Sequence, residues 1–333
     1  MRIAIVGAGL QARRRAAVIA ASTDTEMVVV AATHMTSAAR LAQEVRAEAS
    51  TDWAAAVVRP DVDAVIVCTP PDLHEEIASV ALGAGKHVLC EKPLARSSAE
   101  AQRMVDQADA DGRILWCGFN HRYHPALRQV RQWLAQGDLG EAMYLRARYG
   151  IGGRPGYERE WRADPERVGG GQLMEQGIHL VDLARWFLGD FATALGAVGT
   201  YYWKTQPFED NAFVLLRKAD GRVAMLHSSL TEWRNLFSLE LFGTDGYARA
   251  EGLGGSYGLE TATLGMRDFD APFAERQIEY RGADPCWQLE WEAFVAATEG
   301  SGDGPATARD GVRALRTVEA VYASASTGRR VEL

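Results

Sequence analysis

The chain has 333 residues, a length that suits two domains better than one core. Hydrophobic residues make up 47% and charged residues 24%, as in ordinary globular proteins, and the net charge is −8. This acidic balance disfavours nucleic acid and anionic membranes as partners, and no stretch is apolar for long enough to span a bilayer. The opening segment 1–10 runs into a glycine turn instead of a cleavage site, so we expect a cytoplasmic protein.

The four cysteines show no spacing typical of metal sites. They are Cys68, Cys90, Cys117 and Cys286, without a CxxC or Cys/His arrangement. We therefore expect buried free thiols in a reducing compartment, with no metal and no disulfide framework.

The first 120 residues alternate between strand and helix patterns. Apolar runs predict strands at 2–6, 27–32, 63–68, 86–90 and 113–118. Alanine-rich stretches predict helices at 10–21, 36–48, 72–84 and 97–111. Because the strands are continuously apolar, both sheet faces should be covered. The pattern predicts an α/β fold with a doubly wound parallel sheet.

After residue 120 the pattern changes to that of an α+β domain. A long loop, 150–171, precedes a helix that opens on three glycines. Turn signals separate predicted strands at 194–203, 211–217, 222–230, 235–242 and 246–251. Helices are predicted at 286–299 and 307–326. The second domain should therefore hold a large, mostly antiparallel open sheet.

A dinucleotide-binding fingerprint, GAGLQA, occupies Gly7–Ala12 between the first strand and the first helix. Gly7 permits the tight turn, Gly9 lets the backbone approach a pyrophosphate, and Ala12 allows close helix packing. The alternative is a tight turn without a ligand. Because the motif stands in the first βαβ unit, we expect a nucleotide at the helix N-terminus.

The second strand ends without the carboxylate that NAD-binding versions use to hold the ribose. Thr33 and His34 stand there instead, and they could accept a 2′-phosphate with help from Arg13 or Arg14. NADP is therefore mildly favoured over NAD. The alternative, that these arginines simply form a solvated helix face, is equally open.

Two further motifs end neighbouring strands, at the edge where open α/β sheets bind ligands. CTPPDLH covers Cys68–His74, and EKP covers Glu91–Pro93. The proline fixes the backbone after Lys92, so the ammonium projects from a rigid strand end. Surface charge and catalysis are both open interpretations of this lysine.

GGGQLMEQGIHLVD, at 169–182, places Glu175, His179 and Asp182 at helical spacing on one face. The adjoining face carries Met174, Ile178 and Val181, which can contact the core. By itself this polar stripe, formed by Glu175, His179 and Asp182, fits either a solvated helix face or a functional site. A helix carrying a base and a carboxylate is suited to proton transfer.

Together, the ordered motifs resemble the Gfo/Idh/MocA oxidoreductase family over nearly the whole chain. The resemblance implies a Rossmann domain, 1–119, and a substrate-binding and oligomerisation domain, 120–333, whose terminal helices could return to the first domain. It further implies NAD(P)-dependent hydride transfer at a secondary hydroxyl or ketone of a sugar, sugar nucleotide or cyclitol. A homodimer or homotetramer through the open sheet is expected.

The resemblance also implies residue roles. Lys92 corresponds to the EKP lysine that bridges nicotinamide and substrate hydroxyl, and His179 to the acid/base histidine. Glu175 stands where family members often have Asp, and it could still orient the hydroxyl or the lysine. Asp182 matches the last Asp of the motif. It could either take part in the site or serve as a buried hydrogen-bond acceptor inside the domain.

Two sets of contact residues follow from these motifs. The expected cofactor contacts are Gly7, Gly9, Leu10, Gln11, Arg14, Thr33, His34, Thr69, Pro70, His74, Glu91, Lys92 and Asn120. The expected substrate contacts are Lys92, Arg122, Tyr157, Trp161, Glu175, His179 and Asp182. FNHRYHP, at 119–125, adds His121 and Tyr123 as junction candidates. In the loop 152–166, Arg154 and Arg162 would suit the phosphates of a nucleotide sugar, but a plain surface loop fits as well.

A dehydrogenase or ketoreductase for a sugar-like polyol is the leading functional hypothesis. Two alternatives stay open. One is a catalytically silent family member that senses NAD(P) or a sugar, favoured by Glu175 at the usual Asp position. The other is a redox-neutral epimerase with tightly held cofactor.

Overall fold

A computed structural model describes residues 1–271, 274–301 and 307–333. The chain divides into two compact units. The first unit contains Met1–Asn120, Glu166–Gly169 and Trp287–Arg313, and the second contains His121–Pro165, Gly170–Cys286 and Ala314–Leu333. Within these described ranges, no helix has the length and apolarity needed to cross a membrane.

The first unit is built on a six-stranded parallel sheet with the order β3-β2-β1-β4-β5-β6. Its strands are β1 Arg2–Val6, β2 Glu26–Ala31, β3 Glu48–Ser50, β4 Ala64–Val67, β5 His87–Glu91 and β6 Leu115–Gly118. Its helices are α1 Leu10–Ala21, α2 Met35–Val45, α3 Trp53–Val57, α4 His74–Gly83 and α5 Ser98–Ala110, joined by α8 Cys286–Thr298 from Trp287 onward. The order reverses between β1 and β4, so the doubly wound prediction is confirmed, and this reversal is where such folds bind ligands.

The predicted strands and helices of this unit match the observed ones to within one to three residues. The strand β3 and the helix α3 were not predicted from the sequence. With three and five residues, they are too short to show a hydrophobic period.

The second unit contains a nine-stranded sheet with the order β14-β13-β12-β11-β7-β10-β9-β8-β15. Its strands are β7 Ala142–Gly150, β8 Thr193–Gly199, β9 Asn211–Arg217, β10 Val223–Ser229, β11 Leu236–Gly243, β12 Gly246–Glu251, β13 Glu260–Met266, β14 Glu275–Tyr280 and β15 Val331–Glu332. All neighbours are antiparallel except β7 and β10. The expected large, mostly antiparallel sheet is therefore confirmed.

Among the described residues of this unit, the structure shows three α-helices. They are α6 Pro125–Gln136, α7 Ile178–Leu188 and the part of α9 Ala308–Thr327 that follows Arg313. The helix α6 packs on β12 and β13, while α7 packs on β7 and β10. These contacts cover the apolar face of the sheet, which positions α7 and the motif at its start.

The predicted strand 194–203 was too long at its end. Strand β8 stops at Gly199 because the carboxylate of Asp210 accepts hydrogen bonds from the amides of Tyr201, Tyr202 and Trp203. A carboxylate that accepts hydrogen bonds from three consecutive amides folds the backbone into a turn, and this turn ends the hydrogen bonding between β8 and its neighbouring strand.

Candidate functional site

The glycine turn after β1 has the geometry that the fingerprint requires. Gly7 has φ +108°, and a Cβ there would lie 2.5 Å from the carbonyl oxygen of Cys68. A side chain is thus excluded by both conformation and space. The amide of Gly7 donates to the carbonyl of Ala31 at 2.8 Å, which ties the turn to β2.

The N-terminus of α1 is open to a ligand. Gly9 is the capping residue, it offers no side-chain hydrogen bond, and a Cβ built on it would meet nothing within 4 Å. Leu10 is exposed and Gln11 half-buried. The first amides of a helix need acceptors, so this end of α1 fits the pyrophosphate of a dinucleotide.

The segment after β4 and the segment after β5 are tied together by His74. Its ring nitrogens lie 2.9 Å from the carbonyl oxygen of Thr69 and 3.0 Å from that of Pro93. Burial lowers the pKa of His74, although both carbonyls oppose this. His74 was predicted as a cofactor contact, and the structure shows that its ring already bridges these two backbone segments.

Thr69 itself fits a polar ligand. Its Oγ1 is buried, and within the described part of the chain it has no hydrogen-bond partner. A buried hydroxyl without a partner is costly, so a bound group with polar atoms would satisfy it. Pro70 follows directly at the same strand end.

Lys92 stands on a strand end that a buried ion-pair cluster fixes. The Arg15 guanidinium lies 2.6 Å from Glu91 and 2.9 Å from Glu290, and it stacks 4.9 Å from the centre of the Trp287 ring. Burial disfavours its charge, yet the two carboxylates raise the pKa of Arg15. The amide of Lys92 in turn donates to Glu91 at 3.3 Å, and its side chain is half-buried.

Arg15 and Glu290 were not predicted from the sequence, although the position of Arg15 on its helix gave a signal. On α1 the buried face carries Ala12, Arg15, Ala16 and Ile19, at helical spacing. An arginine on that face requires buried acidic partners. Glu290 could not be found this way because it lies 275 positions further along the chain.

The residues proposed to select the cofactor lie at the surface of the first unit. Thr33 and His34 are exposed, and His34 caps the N-terminus of α2 without a side-chain hydrogen bond. Arg13 and Arg14 are also exposed, and Arg14 lies 3.4 Å from Gln11. Asn120 is buried just after β6.

In the second unit, the glycines before the motif helix are required by packing. A Cβ on Gly170 would overlap the hydroxyl of Tyr322, and one on Gly171 would overlap Glu209. In the first unit, Gly169 approaches the carbonyl of Arg96 in the same way. These contacts account for the GGG run in terms of close backbone approach.

The motif helix begins with a π-helical turn, Leu173–Gly177, before α7. Glu209 Oε1 accepts from the amide of Leu173 at 2.8 Å and from the Tyr322 hydroxyl at 2.9 Å. Burial raises the pKa of Glu209, although these hydrogen bonds oppose it. The motif therefore starts from a buried carboxyl cap, and Glu175 lies on the π-turn and not on a continuous α-helix. Such π-turns are frequent at functional sites.

Burial argues against a solvated face for the polar stripe. His179 is only 3% exposed and Asp182 is fully buried, while the Glu175 side chain is 22% exposed. Met174, Ile178 and Val181 are buried, as expected.

The ring of His179 lies in an aromatic cluster. Its centroid is 3.7 Å from that of His121 and 6.2 Å from that of Tyr149. His121 and Tyr149 also meet edge to face at 5.1 Å. Tyr149 belongs to β7, a strand that the sequence analysis did not predict, so this neighbour of His179 was missed.

Asp182 and Arg122, both predicted as substrate contacts, engage each other. Arg122 donates from Nε at 2.8 Å and from Nη2 at 2.5 Å to the two oxygens of Asp182, and both side chains are buried. Two-point pairing of this kind is the strong form of an arginine–carboxylate contact. These contacts favour the structural alternative for Asp182.

Glu175 pairs with the loop that precedes the motif. Arg162 Nε donates to Glu175 at 3.0 Å, and the guanidinium lies 4.4 Å from the centre of the Trp161 ring. Tyr157 is buried, and burial together with the charge of Glu175 raises the pKa of its hydroxyl. Three of the predicted substrate contacts are thus brought together: Tyr157, Trp161 and Glu175.

In the part of the chain that the structure describes, one further group of side chains combines residue types that bind metals. His124, Asp284 and Cys286 offer ligand atoms within 4.8 Å of one another. Local hydrogen bonds account for this arrangement, because Asp284 accepts from the amide of Cys286 and Glu260 accepts from that of Ala126, each at the start of a helix. The expectation of no metal stays a prediction.

Two family models match the sequence. One, described as an oxidoreductase family with an NAD-binding Rossmann fold, matches residues 1–119, and the GFO/IDH/MocA C-terminal domain matches residues 127–249. The chain belongs to the Gfo/Idh/MocA family. The predicted resemblance is therefore confirmed, and with it the NAD-binding Rossmann fold and the oxidoreductase class.

Known members of the Gfo/Idh/MocA family give the range of chemistry. A 1,5-anhydro-D-fructose reductase from Ensifer adhaerens is 32% identical, over 82% of this chain and 80% of its own. A dTDP-3,4-didehydro-2,6-dideoxy-alpha-D-glucose 3-reductase from Saccharopolyspora spinosa is 32% identical, over 74% of this chain and 73% of its own. The solved structure of a levoglucosan dehydrogenase in complex with NADH and L-sorbose is 23% identical, covers 100% of this chain and 98% of its own, and has a TM-score of 0.90, which shows the same fold.

Proposed function

We propose that the protein transfers a hydride between NAD(P) and a secondary hydroxyl or ketone of a sugar-like substrate. Residues 1–119 would hold the cofactor and residues 120–333 the substrate. The observation that carries the proposal is the presence of two features in the same chain, one in each unit. Lys92 stands on a strand end fixed by a buried ion-pair cluster, and the motif histidine, His179, is buried in an aromatic cluster.

The roles of the two residues follow from the chemistry of alcohol oxidation. When bound, the nicotinamide accepts or returns the hydride. The hydroxyl proton must go to a base, and His179 is the residue of the motif suited to take it. Lys92 would contribute a positive charge that stabilises the developing alkoxide. Since its strand end is held rigidly before the reaction starts, little reorganisation is needed to place this charge.

The contacts of Glu175 favour a catalytically active protein over the catalytically silent alternative. Arg162 holds the longer side chain at 3.0 Å, so the extra methylene relative to Asp is accommodated by a defined ion pair. We propose that Glu175 accepts a hydrogen bond from a substrate hydroxyl and orients it. Arg122 and Asp182 would support this site through their buried pair.

We further propose NADP as the preferred cofactor, because the exposed segment Thr33–His34 offers no carboxylate to the ribose. Titration of the purified protein should show NADP(H) binding at least as tightly as NAD(H). A tenfold preference for NAD, about 1.4 kcal/mol, contradicts this choice.

The open face of the second unit's sheet supports a homodimer or homotetramer. Leu195 pairs with Leu215, which in turn pairs with Met225, and all three are between 39% and 53% exposed. Together with Phe213 they form a contiguous apolar patch on neighbouring strands. Patches of this kind on a sheet face mark protein interfaces, and we propose a second copy of this chain as the occupant.

A cytoplasmic location is supported by the cysteines. All four are free, and three of them are buried, as suits a reducing compartment. Acid quenching of intact cells, followed by alkylation of the denatured protein and counting of the modified cysteines, should show four reduced thiols. A disulfide in freshly isolated protein contradicts the proposal.

The test of the proposed reaction is the appearance of reduced nicotinamide with a panel of sugars and cyclitols. The wild-type protein should reduce NAD(P) with at least one of them. Lys92→Ala should lower kcat by about 10²-fold or more while cofactor affinity changes little, because the lost charge acts mainly in the transition state. Lys218→Ala, which removes a half-buried lysine of the second unit, serves as the matched control and should behave like wild type. Equal turnover of the two variants would show that Lys92 is structural.

A further inference from the structure

We propose that the substrate site selects uncharged sugars or cyclitols and rejects phosphorylated ones, and that Glu160 enforces this choice by occupying Arg154 and Arg162 of the loop 152–166. The inference rests on the proposed function and narrows its substrate class. The sequence alone left free sugars and sugar nucleotides equally open, and known relatives include both kinds.

The first observation is the engagement of Arg154. Its Nε and Nη2 both lie 2.6 Å from the two oxygens of Glu160. This two-point geometry is the one in which arginine binds a phosphate. Glu160 therefore takes the position that a substrate phosphate would need.

The second observation is the engagement of Arg162. It donates from Nε to Glu175 at 3.0 Å, and its Nη1 lies 3.4 Å from Glu160. Its guanidinium also covers one face of the Trp161 ring, and the side chain is only 27% exposed. Burial disfavours the charge of Arg162, but the charge and hydrogen bond of Glu175 act together with the charge of Glu160 and raise the pKa of Arg162.

The charge balance of the loop points the same way. Between residues 152 and 166 there are three arginines and four acidic residues. A phosphate placed against Arg162 would lie close to the carboxylates of Glu160 and Glu175, at distances where solvent ions screen little. Electrostatic repulsion would then oppose the contact that the sequence had suggested.

Uncharged hydroxyls meet no such opposition. Glu175 can accept a hydrogen bond from a sugar hydroxyl while it stays paired with Arg162. The Tyr157 hydroxyl remains protonated, because burial and the nearby Glu175 raise its pKa, so it is a neutral donor. These groups suit a polyhydroxylated substrate without net charge.

A pair of loop variants isolates the role of Glu160. Glu160→Gln removes the shared partner of Arg154 and Arg162. Glu158→Gln removes the same charge two positions away, where the partner is Arg159, 3.8 Å distant and 82% exposed. The two variants thus have the same net charge and differ in whether Arg154 and the half-buried Arg162 lose a carboxylate partner.

The first readout is the affinity for inorganic phosphate, measured by calorimetry on protein saturated with NADPH at constant ionic strength. Glu160→Gln should bind phosphate about tenfold more tightly than wild type, as expected when one charge-assisted hydrogen bond becomes available. Glu158→Gln should match wild type. Equal affinity in the two variants, or wild-type affinity already as high as that of Glu160→Gln, overturns the proposal.

The second readout is kcat/KM for a free sugar that reduces the cofactor and for its phosphate ester and nucleoside diphosphate derivative. The wild-type protein should prefer the free sugar by about a hundredfold, the effect of one uncompensated charge contact. In Glu160→Gln this preference for the free sugar should become smaller, because the KM for the charged derivatives should fall. A wild-type preference for the charged derivative overturns the inference. If no sugar reduces the cofactor, the proposed function fails, and the phosphate titration still decides the role of Glu160.

Discussion

His179 is the residue on which the proposed chemistry most depends. It is buried within 3.7 Å of the His121 ring centroid, in a cluster that fixes its orientation. We predict that His179→Ala lowers kcat/KM by about 10²- to 10⁴-fold, the usual worth of a general base, and removes the acidic limb of the pH profile. The measurement is kcat/KM against pH.

A second histidine of the same unit provides the control for His179. His227 stacks on Phe213 at 4.3 Å on the open face of the sheet, and burial lowers its pKa. His227→Ala should keep the wild-type pH profile. Superimposable profiles for wild type and both variants would remove His179 from the mechanism.

Residues with local causes could be predicted from the sequence. Gly7 has its strained φ because the turn itself needs it, and Lys92 is marked by the proline that follows it. Residues whose partner lies far along the chain could not be predicted. Tyr322 reaches Gly171 across 151 positions, and a single sequence does not show such contacts.

At the scale of elements, the start of the motif helix should respond to pH through Glu209. Burial raises its pKa, so the stability it contributes is fully present below the ordinary carboxyl value, about 4.3, and is lost as pH rises through the folded value. Glu209→Gln stays neutral and keeps an acceptor for Leu173. The free energy of unfolding of this variant, relative to that of wild type, should therefore increase as the pH rises from about 4 to about 7.

Urea unfolding at several pH values measures this gain. Glu240→Gln, at a half-buried carboxyl on β11, is the control. A constant difference between Glu209→Gln and wild type across the pH range would mean that Glu209 ionises as it does in the unfolded chain.

Several elements were missed for identifiable physical reasons. The helix α6 was not predicted, although Pro125 at its first position and Gly137 just after its end are ordinary helix boundaries. Strand β7 alternates Arg146 and Arg148 with buried Leu145 and Ala147, which is the pattern of a half-covered strand. The buried parallel strands were found because they are apolar throughout.

For the whole molecule, the apolar patch on the open face of the second unit's sheet should control assembly. Leu215→Arg places a charge at the centre of the proposed interface and should convert the oligomer to monomers in light scattering. Leu259→Arg changes an equally exposed leucine outside the patch, 41% against 39%, and should leave the mass unchanged. A monomeric wild-type protein, or an unchanged mass for Leu215→Arg, contradicts the interface.

Hydride transfer between a sugar-like alcohol and the nicotinamide cofactor, with the help of Lys92, is the reaction that we propose for the chain. The most direct test uses the best substrate of the panel, deuterated at its carbinol carbons, and follows deuterium into the nicotinamide ring by mass spectrometry. With wild type, deuterium should appear in the reduced cofactor, and with Lys92→Ala it should appear much more slowly. Reduced cofactor without deuterium, or no reduction with any sugar or cyclitol, would contradict it.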